Sequence, residues 1–400
     1  MIYLDNAAGS HPKPQTVAAA MSRALLELGN PGRGSYRLAR DTDALVDEAR
    51  AALAQLIHAA DKRRIVFTSG ATESANMAIK GLLKPGDHVV VSGLEHNAVW
   101  RPLKQLEAER GIRLSVIPTD RWGYVKAADF AAAITDATRL ICCSMAGNVS
   151  GAVQPIAEIG AIARARRIPL LVDAAQGAGW LPIDVQAQGI DLLVLAGHKA
   201  LLGPPGIGAL YVAEGLQLSP LLSGGSGSNS REPFQPREYP AHLEAGSANV
   251  PGIAGWLAAL QREGDREAEY AQAMALADAF AAGVRKIEGV RLYLPPAAEA
   301  RPRVPLIALN LTGVSSAEAA ALLDSGYGIA VRGGYHCAPQ AHSGLGTLKQ
   351  GSLRFSFGIY NTESDVQAAL LALKRIAQNH PQRPPKSNAV VVQRTLKRRY

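Results

Sequence analysis

Between residues 60 and 212 the chain alternates short, continuously apolar runs with longer segments in which apolar residues recur at helical spacing. The apolar runs predict strands at 64–68, 88–91, 113–117, 139–144, 168–172, 192–195 and 208–212. The intervening segments predict helices at 71–83, 97–110 and 155–167. Strands that are apolar throughout are buried on both faces, and helices between them favour parallel connections. The pattern therefore predicts an α/β fold built on a mostly parallel sheet.

A second, differently built block follows a Gly/Ser-rich segment at 223–228, which we interpret as a mobile loop. The block opens with a long span of helical spacing at 252–286 and closes with a helix at 363–378. Its strand-like runs are 290–294, 306–311, 329–332 and 352–356. One core rarely grows beyond about 250–300 residues, so two domains are expected, the second of them smaller and of the α+β class.

The body of the chain is nearly neutral, and its basic charge lies at the C-terminus. Residues 381–400 hold six basic side chains and no acidic one, and without these six the formal charge falls from +8 to +2. We interpret this Pro-rich segment as a solvated tail, with contact to nucleic acid or an acidic partner as the alternative. The chain has three cysteines, which predicts a protein without disulfides in a reducing compartment. It contains no apolar stretch of membrane-spanning length and no signal-peptide pattern, so we expect a cytoplasmic protein.

A lysine and an aspartate follow two of the predicted strands. Asp173 comes directly after the strand at 168–172, and Lys199 follows the strand at 192–195, at the edge where open α/β sheets bind ligands. A desolvated lysine amine forms Schiff bases, and a carboxylate can hold a proton on a pyridine nitrogen. Either residue alone is typical of a surface lysine or a turn. Together they predict a site for pyridoxal 5'-phosphate (PLP) with Lys199 as its Schiff-base lysine.

The segment at 68–73 connects a predicted strand to a predicted helix. Backbone N–H groups at a helix N-terminus bind phosphate, and Gly70 lets the backbone approach closely. His198, next to Lys199, offers a further donor. Many strand-to-helix turns share these features, so the phosphate site is predicted only in combination with Lys199.

Seven short motifs jointly resemble those of one family. They are Asn-Pro-Gly-Arg-Gly at 30–34, Ser-Gly-Ala-Thr-Glu at 69–73, Glu-His-Asn at 95–97, Asp-Ala-Ala-Gln at 173–176, Gly-His-Lys at 197–199, Glu-Ala-Gly at 244–246 and Arg-Gly-Gly-Tyr-His-Cys at 332–337. From Tyr3 to Thr362 the chain resembles the cysteine desulfurase and selenocysteine lyase family, the class V aminotransferase-like group of fold-type-I PLP enzymes. The resemblance implies a large PLP-binding domain at 15–252 with a mostly parallel, seven-stranded type of sheet. It also implies a small domain made of 1–14 and 253–379, and leaves 380–400 as the basic tail.

The resemblance further implies contacts to the cofactor. Lys199 would carry PLP, Asp173 would pair with the pyridine nitrogen, and Gln176 would hydrogen-bond the phenolate oxygen. His96 would stack on the ring and assist proton transfer. The residues implied for the phosphate are Ala71, Thr72 and His198, together with Ser247 reaching in from a neighbouring subunit, where the family usually has threonine.

Cys337 and Arg354 are the residues implied for the substrate. Cys337 lies in a Gly-rich loop beside His336 and after Arg332, where positive charge favours a thiolate and a flexible loop could carry a persulfide away. Arg354 offers the planar fork that binds an α-carboxylate, assisted by Asn148. The remaining cysteines, Cys142 and Cys143, occupy an apolar run and are interpreted as core residues.

The resulting prediction is a homodimeric cysteine desulfurase that converts L-cysteine to L-alanine and passes a persulfide on Cys337 to a sulfur-acceptor protein, without a metal. Arg354 follows Cys337 by 17 positions, which resembles the short-loop branch that often depends on such an acceptor. Departures from the family pattern at Tyr36, Met145 and Ala196 leave the substrate preference open. The alternatives are a selenocysteine lyase, an aminotransferase or epimerase in which Cys337 is incidental, and a weakly active binding scaffold. Nucleic-acid binding through the tail ranks last.

Overall fold

The structure is a computed structural model, and it describes residues 1–32, 34–227 and 231–379. Arg33 of the motif at 30–34, residue 228 of the Gly/Ser-rich segment and the basic tail at 380–400 lie outside the described residues. The interpretation of the tail therefore stays a prediction. No helix in the described ranges is long and apolar enough to cross a membrane.

The described residues form thirteen strands. They are β1 (Ile2–Tyr3), β2 (Ile65–Thr68), β3 (His88–Ser92), β4 (Arg113–Ile117), β5 (Thr138–Ser144), β6 (Leu170–Asp173), β7 (Leu192–Ala196), β8 (Gly208–Val212), β9 (Val290–Leu292), β10 (Leu306–Leu311), β11 (Ile329–Ala330), β12 (Arg332–Gly334) and β13 (Ser352–Ser356). Seven of them form one sheet in the order β2-β8-β7-β6-β5-β3-β4. Only β8 runs antiparallel to its neighbours, so the predicted mostly parallel sheet is confirmed.

Helices cover both faces of this sheet. Across the described ranges the helices are α1 (Gln15–Glu27), α2 (Arg37–Leu56), α3 (Ala71–Leu82), α4 (Asn97–Arg110), α5 (Ala127–Ala133), α6 (Ile156–Ala165), α7 (Val250–Leu260), α8 (Arg266–Val284), α9 (Ser316–Tyr327), α10 (Ala341–Gly344) and α11 (Glu363–Asn379). Successive side chains of a strand point to opposite faces, so Ile141 and Cys143 enter one core while Leu140 and Cys142 enter the other. Both cysteines are fully buried, which confirms their interpretation as core residues.

The parallel strands end at one edge of the sheet, and polar side chains collect there. Thr68, Ser92, Ser144 and Asp173 are the last residues of β2, β3, β5 and β6, and all four are buried. Burying a polar group without a hydrogen-bond partner is unfavourable in free energy, so core packing alone does not account for such a row. The row lies at the edge where open α/β sheets bind ligands.

A second, antiparallel sheet in the order β12-β13-β10-β9 packs against α8, α9 and α11. Its core centres on Phe280, whose ring centroid lies 4.6 Å from that of Phe355 and 5.5 Å from that of Phe357. The N-terminal segment joins this region, because β1 pairs with β11 and Leu4 is buried in the same core. The division into domains at 252/253 remains a prediction; α7, which spans that point, packs on α1 and α2.

Two predicted elements are wrong in extent. The span 252–286 is divided into α7 and α8, because the Asp265 side chain accepts hydrogen bonds from the N–H groups of Glu267 and Ala268 and caps a new helix. The run 329–332 is divided between β11 and β12, which belong to different sheets. The spacing of apolar residues alone predicts neither the break between α7 and α8 nor the break between β11 and β12.

Candidate active site

A cavity of about 320 Å³ opens at the carboxyl edge of the large sheet and is closed on its other side by β12, β13 and the loop after β12. Ten of the eleven predicted site residues line it: Ala71, Thr72, His96, Asn148, Asp173, Gln176, His198, Lys199, Cys337 and Arg354. The eleventh, Ser247, lies elsewhere. Residues separated by up to 283 positions, Ala71 to Arg354, thus meet in one cavity.

Lys199 follows β7 and extends into the cavity. Part of its surface is accessible through the cavity, although protein surrounds the amine. Burial lowers the pKa of Lys199 to about 8; Asp173 opposes this shift, and Arg354 and Arg332 reinforce it. A larger neutral fraction at physiological pH makes this amine a better nucleophile toward a carbonyl carbon than a surface lysine.

Asp173 and Gln176 follow one another around the end of β6. One carboxylate oxygen of Asp173 accepts a hydrogen bond of 2.9 Å from the N–H of Ala175, which fixes the carboxylate at the cavity wall. The Gln176 side-chain amide donates to the carbonyl of Ala7 at 2.8 Å and so holds the N-terminal segment across the edge of the sheet. The site is therefore completed by residues from both ends of the chain.

His96 caps the N-terminus of α4. Its Nδ1 accepts a hydrogen bond of 3.0 Å from the N–H of Ala98. Burial lowers the pKa of His96; Asp173 opposes the shift, while Lys199, Arg354 and Arg101 add to it. The ring is consequently neutral at pH 7 with its proton on Nε2, because Nδ1 is engaged as an acceptor.

The turn before α3 forms a tightly packed end of the cavity. Gly70 has a φ of +151°, and a Cβ on Gly208 would lie 2.6 Å from the Gly70 Cα. Glycine at 208 lets β8 pass directly behind the turn, and glycine at 70 permits the positive φ; the next residues, Ala71 and Thr72, begin α3 and line the cavity. Burial lowers the pKa of His198 to about 4, so this ring can donate a hydrogen bond but carries no charge at pH 7.

Arg354 lies on β13 and is only 2% exposed. Its Nη1 donates to the carbonyl of Asn148 at 2.9 Å, and its Nη2 donates to Asp5 Oδ1 at 2.8 Å. The other Asp5 oxygen lies 3.1 Å from Nη2 of Arg332. The Nε of Arg354 is buried and has no partner within the described part of the chain, and each Nη carries a second N–H, so the guanidinium keeps donors for a further acceptor.

Cys337 is exposed and lies on a folded loop. Its φ is +58° and that of His336 is +51°, two successive left-handed residues that cost about 1–2 kcal/mol each and need support from their surroundings. That support includes a hydrogen bond of 2.7 Å from the N–H of Asn97 to the carbonyl of Cys337 and one of 2.5 Å from the Asn148 amide to the carbonyl of His336. The loop continues into α10, where Gly344 packs on Thr119. The interpretation of this segment as a flexible carrier stays a prediction.

His336 does not supply the positive charge expected beside Cys337. Its Nε2 lies 2.9 Å from the carbonyl of Ser352, and burial lowers the pKa of His336 to about 2, with Arg354 adding to the shift. The ring is neutral at pH 7. The cationic groups that line the cavity with Cys337 are instead Arg332, Arg354 and the protonated fraction of Lys199.

Ser247 is exposed and lines a separate cleft with Arg50. Ser69, Glu73 and Gly206 line both this cleft and the cavity, so the two are neighbours on the surface of the subunit. Within one subunit Ser247 does not line the cavity, and its contact with a neighbouring subunit's phosphate stays a prediction.

Two residues of the site, Asp5 and Glu95, have no role in the sequence-based prediction, and Arg332 has only that of a positive charge near Cys337. Asp5 joins Arg354 to Arg332, Arg332 lines the cavity, and Glu95 is buried behind it. Glu95 and Arg332 belong to the motifs at 95–97 and 332–337, and Asp5 lies near Tyr3, where the resemblance begins. The sequence therefore indicates that these residues lie near the site. It does not indicate their ion pairs, because pairing between distant segments cannot be predicted from a single sequence.

Comparison with known proteins identifies the family. The model of the aminotransferase class-V family matches residues 2–369. The chain belongs to this family. Among curated relatives, a probable cysteine desulfurase of Methanothermobacter thermautotrophicus is 34% identical over 386 residues, covering 94% of both chains. The cysteine desulfurase CsdA of Escherichia coli is 34% identical over 384 residues, covering 94% of this chain and 93% of its own.

Solved structures of cysteine desulfurases share the fold. The apo cysteine desulfurase of Thermococcus onnurineus NA1 has a TM-score of 0.86 at 30% identity, covering 94% of this chain and 95% of its own. The structure of Escherichia coli CsdA in its S-sulfonic acid form has a TM-score of 0.85 at 33% identity and covers 95% of each chain. The predicted fold-type-I architecture is confirmed.

The cofactor of this class-V enzyme is PLP, and the cavity has the groups that PLP requires. A partly neutral lysine suits the aldehyde, a fixed carboxylate suits the pyridine nitrogen, and the glycine turn at an α-helix N-terminus suits the phosphate. The neutral rings of His96 and His198 add donors without adding charge. We find no conflict between these residues and the cofactor.

Proposed function

We propose that this class-V family protein is a PLP-dependent cysteine desulfurase that releases L-alanine from L-cysteine and leaves a persulfide on Cys337. The observation that carries the proposal is that the thiol of Cys337 and the amine of Lys199 line one cavity. The names of the curated relatives and of the solved structures support this activity. Of the three cysteines, only Cys337 is exposed; Cys142 and Cys143 are buried, and burial raises the pKa of both thiols well above the usual range.

In the proposed mechanism Lys199 holds the cofactor, Asp173 its pyridine nitrogen, and Ala71, Thr72 and His198 its phosphate. When bound, PLP supplies stabilisation of negative charge at the substrate α-carbon. Lys199 removes the proton from the α-carbon, because a substantial fraction of its amine is neutral near pH 8 and a neutral amine accepts protons. His96 has its Nδ1 occupied as an acceptor and its proton on Nε2, so its ring can donate a hydrogen bond or a proton but cannot serve as this base.

The sulfur step needs the thiolate of Cys337. Its Sγ attacks the substrate sulfur, the new S–S bond forms, and the substrate C–S bond breaks. The electron pair of the broken bond stays on the substrate β-carbon, which takes up a proton and becomes the methyl group of alanine. Arg332 and Arg354 line the cavity with Cys337 and place positive charge where the sulfur step takes place.

Arg354 is proposed to bind the substrate carboxylate, with Asn148 orienting it. Changing Arg354→Lys should raise the KM for L-cysteine about tenfold or more, because an ammonium group cannot reproduce the planar fork. The value of kcat should change less, since the contact exists before and during the reaction. Steady-state kinetics with L-cysteine measures both constants.

Arg332→Lys is the matched control, because Arg332 also pairs with Asp5 but has a 46% exposed side chain. We expect its KM to change less than about threefold. Equal increases in KM for the two variants would contradict the assignment of the carboxylate to Arg354.

The proposed function is tested on the purified enzyme. An ultraviolet-visible spectrum is recorded before and after addition of L-cysteine and a reductant, with alanine and sulfide measured in the same sample. A visible cofactor band that responds to cysteine, with equal amounts of both products, is the expected result. Amino transfer to a 2-oxo acid without sulfide would replace the proposal by an aminotransferase, and a protein that cannot bind PLP would overturn it.

We further propose a homodimer, in which the cofactor phosphate would receive Ser247 of the partner subunit. The exposure of Ser247 in a cleft that shares Ser69, Glu73 and Gly206 with the cavity supports this arrangement. The anchored loop supports a sulfur-acceptor protein that comes to Cys337, since hydrogen bonds to Asn97 and Asn148 hold the nucleophile at the cavity. An exposed free thiol also fits the reducing cytoplasm as the place of action.

A further inference from the structure

Glu95 is a buried carboxyl group that the mechanism above does not use. It lies between the end of β3 and His96, and only 1% of its surface is exposed. Its Oε1 accepts hydrogen bonds from the Ser144 N–H at 2.7 Å and from the Ser92 hydroxyl, and its Oε2 accepts one of 2.8 Å from the Ser144 hydroxyl. All three partners donate, so the carboxyl group acts here as an acceptor.

These bonds connect three parts of the catalytic edge. Ser92 ends β3, and Ser144 ends β5, lines the cavity and is the register partner of Asp173 on β6. The peptide after Ser144 is also tied to β6, because the N–H of Met145 donates to the carbonyl of Asp173 at 2.9 Å. Glu95 therefore links the backbone that carries His96 to the strand end beside Asp173.

A neutral side chain of the same shape could accept hydrogen bonds at this position with a smaller desolvation free energy. An isolated carboxylate is expensive to bury, and Asp173 places a second carboxyl group nearby. Burial raises the pKa of Glu95 to about 7; Asp173 adds to this, and the donors from Ser92 and Ser144 oppose it. Glu95 thus changes its charge near neutral pH, at the position where the cofactor's pyridine end is expected.

We propose that Glu95 is a positioning residue of the reaction: it fixes the backbone of His96 and the strand end beside Asp173, and its charge supports the protonated pyridine nitrogen. This proposal takes the reaction itself from the proposed function. The choice of Glu95 depends on its hydrogen bonds and its burial. The ionisable groups that share its surroundings are Asp173 on β6, Cys142 and Cys143 on β5, and His96 next to it in the chain. Burial keeps both thiols protonated, so Asp173 is the charged group that Glu95 meets.

The test uses Glu95→Gln in the PLP-loaded enzyme. Glutamine keeps the shape and the acceptor oxygen but removes the charge. We expect kcat to fall about tenfold with KM within about threefold, because Glu95 does not line the cavity. The midpoint of the pH titration of the cofactor's visible band should shift by about half a pH unit or more. The kcat ratio of the two enzymes should widen from about pH 6 to pH 8, since wild-type Glu95 gains its charge in that range.

Asp191→Asn is the matched control. Asp191 precedes β7 at the opposite edge of the same sheet, its carboxylate accepts a hydrogen bond of 2.9 Å from the Leu170 N–H, and burial raises its pKa as well. Its substitution should leave both kcat and the absorbance titration unchanged. Equal changes in kcat and in the midpoint of the absorbance titration for Glu95→Gln and Asp191→Asn would overturn the positioning role.

Ser92→Ala serves if Glu95→Gln fails to fold, as judged by circular dichroism. It removes one donor to Glu95 and should shift the titration in the same direction by a smaller amount. A titration and kcat identical to wild type in whichever variant folds would overturn the proposal. The absorbance titration needs no turnover, so a wild-type enzyme that releases no sulfide would contradict the proposed function while the effect of Glu95 on the cofactor remained measurable.

Discussion

Lys199→Ala should abolish turnover of L-cysteine, with a loss of about a thousandfold or more, and should remove the visible band of the covalently held cofactor. The reason is that the lysine is proposed to be both the covalent anchor of PLP and the base, so one substitution removes two functions. Borohydride reduction of the wild-type enzyme followed by peptide mass analysis should place the cofactor mass on Lys199. Absorbance and mass are readouts that do not depend on activity.

Lys13→Ala is the comparison for this result. Lys13 is another part-buried lysine whose pKa burial lowers to about 8, and its ammonium donates to the carbonyl of His198 at 2.6 Å. It does not line the cavity, so the visible band should persist in this variant. Loss of the band in Lys13→Ala but not in Lys199→Ala would contradict the assignment of the Schiff-base lysine.

The same lysine should affect the stability of the cofactor-free protein. Lys199 has a lower pKa folded than unfolded, so the unfolded chain binds the proton more tightly and folding is disfavoured at pH 7 by up to about 3 kcal/mol. This penalty fades as pH rises from about 8 toward the unfolded pKa. Cofactor-free Lys199→Met keeps most of the side-chain volume and should therefore unfold at a higher temperature than cofactor-free wild type at pH 7, with the difference shrinking at pH 10.

Cys337→Ala should lower the release of alanine and sulfide from L-cysteine about a hundredfold or more, while the cofactor band and its response to added cysteine persist. The residues proposed to bind the substrate, Lys199 and Arg354, stay in place in this variant, whereas breaking the C–S bond needs a sulfur nucleophile. Rapid-mixing absorbance and product assays separate the two steps. Alanine release at an unchanged rate would contradict the nucleophilic role.

Cys142→Ala provides the matched control for the thiol. Cys142 is fully buried with a raised pKa, so it should retain wild-type alanine release and should not be alkylated in the native enzyme. Iodoacetamide applied to folded wild type should modify Cys337 and stop sulfide release. Alkylation of Cys337 without loss of sulfide release would contradict its nucleophilic role.

Sequence reasoning located most of the cavity because its residues follow strand ends. Asp173 and Lys199 come after buried strands of one parallel sheet, and the geometry of such sheets brings strand ends to a common edge. Reasoning from the chain was weaker where a break or a charge depends on a single side chain. The cap at Asp265 divides a helical span, and burial makes His336 neutral, which removes a charge that the residue type alone suggests.

The local order of the chain by itself determined the parallel α/β fold, the paired Asp173 and Lys199, and the exposed thiol at Cys337. These features depend on spacing and side-chain chemistry, which a sequence records directly. Folding added the bridge from Asp5 to Arg354 and Arg332, the anchored loop of Cys337, and the buried Glu95 beside Asp173. These features depend on burial and on contacts between residues up to 349 positions apart. The low dielectric constant around a buried group and the pairing of distant residues exist only once the two sheets face each other.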